Sequence, residues 1–176
     1  MKKKYGDLED SDYKDDSIES GGKNIQFKTT TVAPHDQEFI KLNEKDKEFI
    51  TYSLGDADDL LKILDSNKGI DNYTAADLDD LLFMWINKRY DFKTLDEVQF
   101  VNAIGSAFGH YMNKECGTIW TVVSDEYGTD YACFSENPNF QTFPFSSVWK
   151  AIEQNREGSL ESIILLVKEK MKEWLK

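Results

Sequence analysis

The strongest constraint on the fold is one change in hydrophobic periodicity close to residue 117. Before it, apolar residues recur at helical spacing, most clearly from Leu95 to Met112. After it, residues 118–123 read Thr-Ile-Trp-Thr-Val-Val, a β-branched and aromatic run that is typical of a strand. Helical spacing returns after Ser147. An order of helices, then strands, then helices favours an α+β fold over a parallel βαβ sheet.

Capping and breaking residues divide the first helical part into four expected helices. Asn43 and Thr74 carry the side chains of N-caps, and a glycine is a common helix stop. The helices are expected at about residues 44–53, between Gly55 and Gly69, from Thr74, and from Thr94 to Gly117.

Three short strands are expected next, at residues 118–123, 131–134 and 140–145, joined by turns that contain Gly, Asn and Asp. Ser146 or Ser147 then has the side chain to cap a further helix, and an amphipathic segment ends the chain. The pattern predicts a small three-stranded antiparallel sheet packed against several helices.

The N-terminal segment contrasts with this globular part. Residues 1–36 are mostly charged and polar and bury too little apolar surface to offset their ordering entropy, which predicts a disordered acidic and polar tail. Residues 37–176 are then expected to form a single α+β domain. The alternation at residues 25–28 could instead add one edge strand, although Pro34 and the polar surroundings disfavour it.

The charge of the chain restricts the kinds of partner. Acidic residues number 33 against 21 basic ones, for a formal net charge of -12. Such a charge disfavours nucleic acid and anionic membranes, and it attracts a basic protein. The start Met-Lys-Lys-Lys-Tyr-Gly-Asp is followed by acidic residues in place of an apolar signal core, which predicts a cytoplasmic protein. Cys116 and Cys133 have neither a disulfide nor a zinc pattern and are expected to be reduced core thiols, and no cofactor or metal is expected.

Four segments carry a resemblance to a known family. They are the helix segment 104–109 with Gly105 and Gly109, the strand segment 120–123, the acidic turn 124–130 and Phe-Pro-Phe at 143–145. Over residues 95 to about 156 the chain resembles an uncharacterised bacterial family, the domain of unknown function numbered 3806. The resemblance implies a fold more than an activity, because no secure activity is attached to the family.

The spacing of the two helix glycines also has a physical interpretation that does not depend on the family. Gly105 and Gly109 lie one turn apart on one helix face, where missing side chains let the sheet or another helix approach closely. His110 follows the second glycine, at a place where the family commonly has an acidic residue.

Two acidic regions are candidates for contact with a partner. The turn at residues 125–130 could bind a cation, contact a basic partner or be a solvated turn, and it lacks the spacing of a calcium loop. The region 56–80 could be a solvated helix surface or a surface that steers a basic protein. The candidate partner-binding residues are Asp56, Asp58, Asp59, Asp77, Asp79, Asp80, Asp125, Glu126, Tyr127 and Asp130.

Recognisable catalytic motifs are missing from the sequence, which predicts no catalytic residues. We therefore expect a noncatalytic protein-binding protein, specifically an immunity protein or antitoxin that occludes the active site of a toxin domain. One alternative is a structural or regulatory interaction module whose tail folds on binding. Another is an enzyme of unrecognised type that uses His110 and the turn from Asp125 to Asp130.

Overall fold

The computed structural model describes residues 13–30, 37–92, 95–126, 128–136 and 139–174. Within these ranges the chain forms six strands and five helices. In chain order they are β1 (Tyr13–Ser20), β2 (Lys23–Thr30), β3 (Glu38–Ile40), α1 (Glu44–Leu64), α2 (Ala75–Ile86), α3 (Glu97–Cys116), β4 (Ile119–Asp125), β5 (Gly128–Ser135), β6 (Phe140–Thr142), α4 (Pro144–Glu153) and α5 (Ser159–Trp174).

The main sheet has four strands in the order β3-β4-β5-β6, and every pair is antiparallel. The α+β class is confirmed, whereas the expected three-stranded sheet is wrong by one strand. The added strand is β3, whose Phe39 pairs with Val123. It has only three residues, all of them exposed, so its sequence carries no alternating pattern. Only the pairing with β4 defines it as a strand.

A second sheet, the hairpin β1–β2, lies within the segment expected to be a disordered tail. Gly21 and Gly22 make its turn with φ values of 58° and 75°, which suit the twist of a two-residue hairpin. A lone hairpin is marginal in water, but this one packs against α5: Ile25 is buried and Lys23 pairs with Glu161. Contacts distant in sequence therefore order residues 13–30. The rest of the expected tail lies outside the described residues.

The first helix is longer than its sequence suggested. α1 begins with a capping box between Asn43 and Asp46 and continues through Gly55 without a break, so the two expected short helices are one. Its buried stripe continues past the glycine to Ala57 and Leu61, and this burial offsets the cost of a glycine inside a helix.

The caps of the next two helices follow the expected chemistry with one shift in position. Thr74 and Asp77 form the expected capping box of α2. The N-cap of α3 is Asp96, paired with Gln99, and Thr94 lies outside the described residues. Gly117 ends α3 in the left-handed conformation with φ 64°, as expected of a C-terminal glycine.

Helix α3 is the centre of the core and packs against α1, α4, α5 and the sheet. The sheet packs against α3 with the face that carries Trp120 of β4 and its cross-strand partner Cys133 of β5. The Cys133 thiol lies 3.5 Å from the carbonyl oxygen of Gly109. Cys116 and Cys133 are both free and buried, which confirms the expected core thiols. Within the described ranges, no helix is both long enough and apolar enough to span a bilayer.

Two aromatic rings pack directly against the backbone of α3 at its two glycines. A Cβ placed on Gly109 would overlap the Trp120 ring, and one on Gly105 would lie 2.5 Å from Cδ1 of Phe145. Trp120 and Phe145 also stack on each other, with ring centroids 5.7 Å apart. The close approach expected from the glycine spacing is thus present, and its partners are β4 and the start of α4.

The start of α5 is fixed by an acid from another helix. Asp79 of α2 accepts hydrogen bonds from the backbone N–H groups of Leu160 at 3.0 Å and Glu161 at 2.8 Å. These are orphan donors at the first turn of a helix, and a buried donor without a partner is costly. Asp79 therefore acts as a remote N-cap that joins α2 to α5.

We expect Gly109→Ala to lower the free energy of unfolding by about 1–3 kcal/mol, because the added methyl group overlaps the Trp120 ring in a packed core. The matched control is Gly55→Ala, where a methyl group meets no atom within 4 Å and should raise stability by about 0.5–1 kcal/mol. Urea unfolding followed by circular dichroism measures both. Equal stability of the wild type and Gly109→Ala would contradict the close approach.

We expect Asp79→Ala to lower the free energy of unfolding by about 1–3 kcal/mol, because it leaves the buried N–H of Leu160 without its acceptor. Its neighbour Asp80 is exposed, so Asp80→Ala should change stability by less than about 0.5 kcal/mol. The same unfolding measurement compares the two neighbouring acids. A similar small effect for both would show that Asp79 does not cap α5.

Candidate functional site

Two of the predicted partner-binding acids are buried and serve the fold. Asp77 completes the cap of α2 and forms an ion pair with Lys68 at 2.6 Å, and Asp79 caps α5. Burial raises the pKa of Asp79, whereas for Asp77 the bonds from Lys68 and Thr74 outweigh burial and lower the pKa. Neither carboxylate is placed to contact a partner, so the broad acidic face expected over residues 56–80 is smaller than its sequence suggested.

The remaining acids of that region divide into two groups. Asp58 forms an ion pair with Lys62 and accepts the backbone N–H of Ile70 at 2.8 Å, so it holds the loop after α1. These bonds lower its pKa. Asp59 and Asp80 are exposed and Asp56 is half-buried, so these three carboxylates lie on the surface, where Asp59 also pairs with Lys62 at 3.0 Å.

The structure places Asp56 and Asp59 beside residues that the sequence did not single out. Together they line a groove of about 370 Å³, which we call the acidic groove. The groove has three carboxylates, two aromatic rings and three aliphatic side chains, contributed by Asp56, Asp59, Asp91, Tyr90, Phe92, Leu60, Ile63 and Leu95. Its walls are the second half of α1 and the segment between α2 and α3.

Aromatic packing fixes the wall that carries Tyr90. The Tyr90 ring lies edge-on to Phe92 at 4.9 Å, and Phe92 in turn packs on the fully buried Phe100 at 5.5 Å. Tyr90 nevertheless remains 46% exposed. A second cavity of about 520 Å³ is also lined by Tyr90, Asp91, Phe92 and Leu95, together with Trp85, Lys88 and Glu97. Tyr90 is therefore an accessible ring on a supported wall.

The predicted acidic turn belongs to a different cavity. Asp125 and Asp130 line a cleft of about 550 Å³ between the β4–β5 hairpin, β6 and the first turns of α4, which we call the polar cleft. Its other lining residues are Val123, Gly128, Thr129, Gln141, Thr142, Phe143, Ser146, Ser147 and Lys150. Glu126 is exposed and is not among the lining residues, and Tyr127 lies outside the described residues.

Neutral hydrogen-bond donors orient the two carboxylates of the polar cleft. Asp130 accepts the hydroxyl of Ser146 at 2.6 Å and the backbone N–H of Tyr131 at 2.7 Å. Asp125 accepts the amide of Gln37 at 3.2 Å, and Gln37 accepts the amide of Gln141 at 3.0 Å. Ser146 therefore binds Asp130 instead of capping α4, whose N-cap is Phe143 with a proline after it.

The polar cleft and the acidic groove have no lining residue in common. Asp46, near the start of α1, accepts the Tyr131 hydroxyl at 2.8 Å, next to the polar cleft. Burial and this carboxylate raise the pKa of Tyr131 to about 12. Asp56 lies ten residues further along the helix, a rise of about 15 Å. The predicted partner-binding residues thus form two separate sites and not one continuous surface.

Only part of the set proposed for catalysis shares a cavity, since Asp125 and Asp130 line the polar cleft. His110 does not line the polar cleft, and burial together with Lys114 lowers its pKa. Burial also raises the pKa of the Cys116 and Cys133 thiols, so both are poor nucleophiles. In the part of the chain that the structure describes, no group of three or more His, Cys, Asp or Glu side chains could hold a metal ion.

Sequence reasoning missed several residues of both cavities. Tyr90 and Asp91 were overlooked because they lie in an irregular segment with no periodic pattern. Lys150 and Gln141 were overlooked because each is a lone polar residue in a helix or a short strand. A signal existed for Tyr90, since tyrosine is enriched in protein interfaces and among their hot spots.

Comparisons with known proteins bear on the fold. Residues 83–163 match the model of DUF3806, a domain of unknown function. No curated protein matches significantly. A crystal structure from Bacteroides thetaiotaomicron VPI-5482 is similar with a TM-score of 0.52 and 12% sequence identity, and the likeness covers 86% of this chain and 69% of that chain.

At this identity the structural likeness shows the fold alone. The matched family region contains every lining residue of the polar cleft and the Tyr90 wall of the acidic groove, but not Asp56 and Asp59. The resemblance inferred from the glycine pair and the acidic turn is confirmed, and residues 83–163 are the part of the chain that matches domain of unknown function 3806.

Proposed function

We propose that the protein is a noncatalytic binding protein that holds a basic partner protein at the acidic groove. The observation that carries the proposal is the accessible Tyr90 ring with the carboxylates of Asp56, Asp59 and Asp91 around the same groove. Aromatic anchors in pockets contribute much of the affinity of protein interfaces, and charge complementarity guides the partner to them.

The groove has the chemistry to take a lysine or arginine side chain. The aliphatic stem of such a side chain would pack on Tyr90 and Leu95, and its cationic head would reach the carboxylates of Asp56 or Asp59. The formal charge of -12 adds a long-range attraction for a basic surface. The Tyr90 ring is the anchor of the complex, and the negative charge increases the rate and selectivity of association.

The specific role that we propose is that of an immunity protein or antitoxin. A toxin that acts on a polyanion such as nucleic acid needs a basic substrate groove, and that groove is complementary to an acidic protein. Binding there would block the active site by occlusion and needs no catalytic residue. This role is consistent with buried, poorly nucleophilic thiols and with His110 lying outside the polar cleft.

Two alternatives keep a structural basis. For the enzyme alternative, the polar cleft is a cavity that Asp125, Asp130 and Ser146 line and His110 does not. An interaction module whose N-terminal segment folds on binding would have to release the hairpin from α5, because β1 contacts α5 and Lys23 pairs with Glu161.

We expect Asp56→Lys combined with Asp59→Lys to weaken binding of the basic partner at least about tenfold, because both changes place cations where its cations bind. The control is Asp80→Lys combined with Glu153→Lys, which changes net charge equally at exposed acids that do not line the groove. Affinity capture from a lysate of the native host, quantified by mass spectrometry at low and moderate salt, compares the variants with the wild type.

Which of the two variants loses the captured partner distinguishes groove binding from nonspecific attraction by net charge. Loss of one stoichiometric basic protein with the groove variant alone supports the acidic groove. Equal loss with both variants indicates nonspecific attraction by net charge, and retention by both contradicts the proposal. Co-expression of the captured protein with each variant then tests the immunity role, since a groove variant should fail to protect the cell.

We expect Tyr90→Ala to weaken the same complex by about tenfold or more, because the ring is the apolar anchor of the groove. Tyr52→Ala is the matched control, since Tyr52 is 74% exposed on α1 and does not line the groove. Titration calorimetry with the purified partner measures both affinities, and an unfolding curve checks that each variant is folded. Equal affinities would show that the binding surface lies elsewhere.

A further inference from the structure

Three aromatic rings line the second cavity beside the acidic groove, the one of about 520 Å³, which we call the aromatic cavity. Trp85 comes from the end of α2, and Tyr90 and Phe92 come from the segment after it. The rings of Trp85 and Phe92 are inclined by 46° with centroids 5.3 Å apart, and those of Tyr90 and Phe92 by 62° at 4.9 Å. The three rings therefore meet a group in the cavity from different directions and not as one flat surface.

Contacts with the core hold these rings in place. Trp85 stacks on Phe100 with centroids 4.1 Å apart and an angle of 17°, and Phe92 packs edge-on against the same ring at 5.5 Å. Phe100 belongs to α3 and is fully buried. After α2 the chain turns at Lys88, whose φ is 50° and whose backbone N–H bonds to the Trp85 carbonyl at 3.2 Å. Because the cavity is formed in advance, binding there orders few side chains.

The less exposed part of the cavity wall is apolar. Trp85, Phe92 and Leu95 are half-buried, whereas Lys88 and Glu97 are exposed and their charges are solvated. A ligand that reaches the half-buried surface therefore contacts rings and an aliphatic side chain. The volume of the cavity lies within the range of small-molecule sites.

A quaternary ammonium group has the chemistry that suits such a wall. Its positive charge is spread over methyl groups, which pack on apolar surface, and the negative faces of aromatic rings attract it. An ordinary ammonium group has three N–H donors that need acceptors, and aromatic rings do not replace the water that it loses. The formal net charge of -12 further favours a cation over a neutral or anionic molecule of the same shape.

From this arrangement we propose that the aromatic cavity binds a small molecule that carries a quaternary ammonium group, of the kind found in choline. The methyl groups pack among Trp85, Tyr90 and Phe92, and the remainder of the molecule points toward solvent. This site binds a small molecule and needs no partner protein, so it does not depend on the proposed immunity role. Tyr90 lines both cavities, whereas Trp85 lines the aromatic cavity and not the acidic groove.

Choline is the probe that tests the proposal, with two matched compounds. One is its uncharged analogue, in which a tert-butyl group replaces the trimethylammonium group, and the other is ethanolamine, which has an ordinary ammonium group. Titration of the full chain is followed by nuclear magnetic resonance. We expect saturable binding of choline with a Kd below about 10 mM and shifts centred on the Trp85 indole N–H and the Tyr90 amide. Both matched compounds should bind at least about tenfold more weakly.

Variants at the cavity separate the contribution of the rings from that of charge. Tyr90→Leu should weaken choline binding at least about fivefold and reduce the preference over the tert-butyl analogue, whereas Tyr90→Phe keeps a ring and should keep both. Glu97→Gln should weaken binding less than Tyr90→Leu does. Tyr52→Leu is the matched control, because Tyr52 is 74% exposed and does not line the cavity. An unfolding curve checks that each variant is folded.

Four results would overturn the proposal. Equal binding of choline and its tert-butyl analogue would indicate an apolar pocket without selection for charge, and equal or tighter binding of ethanolamine would indicate an ordinary ammonium site. A larger loss with Glu97→Gln than with Tyr90→Leu would assign the cation to a carboxylate. The fourth result is no saturable binding of choline up to about 10 mM.

The outcome of this titration is independent of the partner tests. The titration contains no partner protein, and the charge-reversal test changes Asp56 and Asp59, which do not line the aromatic cavity. Failure of choline to bind therefore leaves the acidic groove proposal standing, and failure of partner capture leaves the choline titration unaffected.

Discussion

The packing of two aromatic rings against the glycine face of α3, which carries Gly105 and Gly109, is the contact on which the remaining structure depends. Gly109 admits Trp120 from the sheet, Gly105 admits Phe145 from α4, and the two rings stack on each other. One contact thus fixes the sheet and α4 relative to the central helix. The polar cleft lies between β4, β5 and α4, so its opposing walls are positioned by the same contact.

Acidic residues in this chain have distinct physical roles that their sequence spacing conceals. Asp77 and Asp79 lie within one turn of α2 and cap two different helices, while Asp80 beside them is exposed. Burial separates these roles, because a buried carboxylate needs fixed donors and an exposed one is solvated. A high acidic content is therefore not a measure of binding surface. In this protein Asp56 and Asp59 line a surface groove, and Lys62 pairs with Asp59 there.

Much of the helical architecture could be predicted, because its signals are local. The Thr74 capping box and the Gly117 stop were correct, since each depends on residues within one turn. The break at Gly55 was wrong, because tertiary burial of the α1 stripe outweighs the weak helix propensity of glycine. The hairpin of residues 13–30 and the strand β3 were missed or underrated, because their partners are distant in sequence.

The sequence alone determined the α+β class, the glycine face of α3, the buried thiols, the family resemblance and the negative charge, because periodicity, capping, composition and short motifs are properties of neighbouring residues. Only the tertiary structure decided which acids are accessible and which side chains share a cavity. It separated Asp56 from Asp130 and placed Asp56 near Tyr90 and Asp130 near Lys150. Such groupings join residues far apart in the chain, and packing around α3 fixes them in a way that no local pattern records.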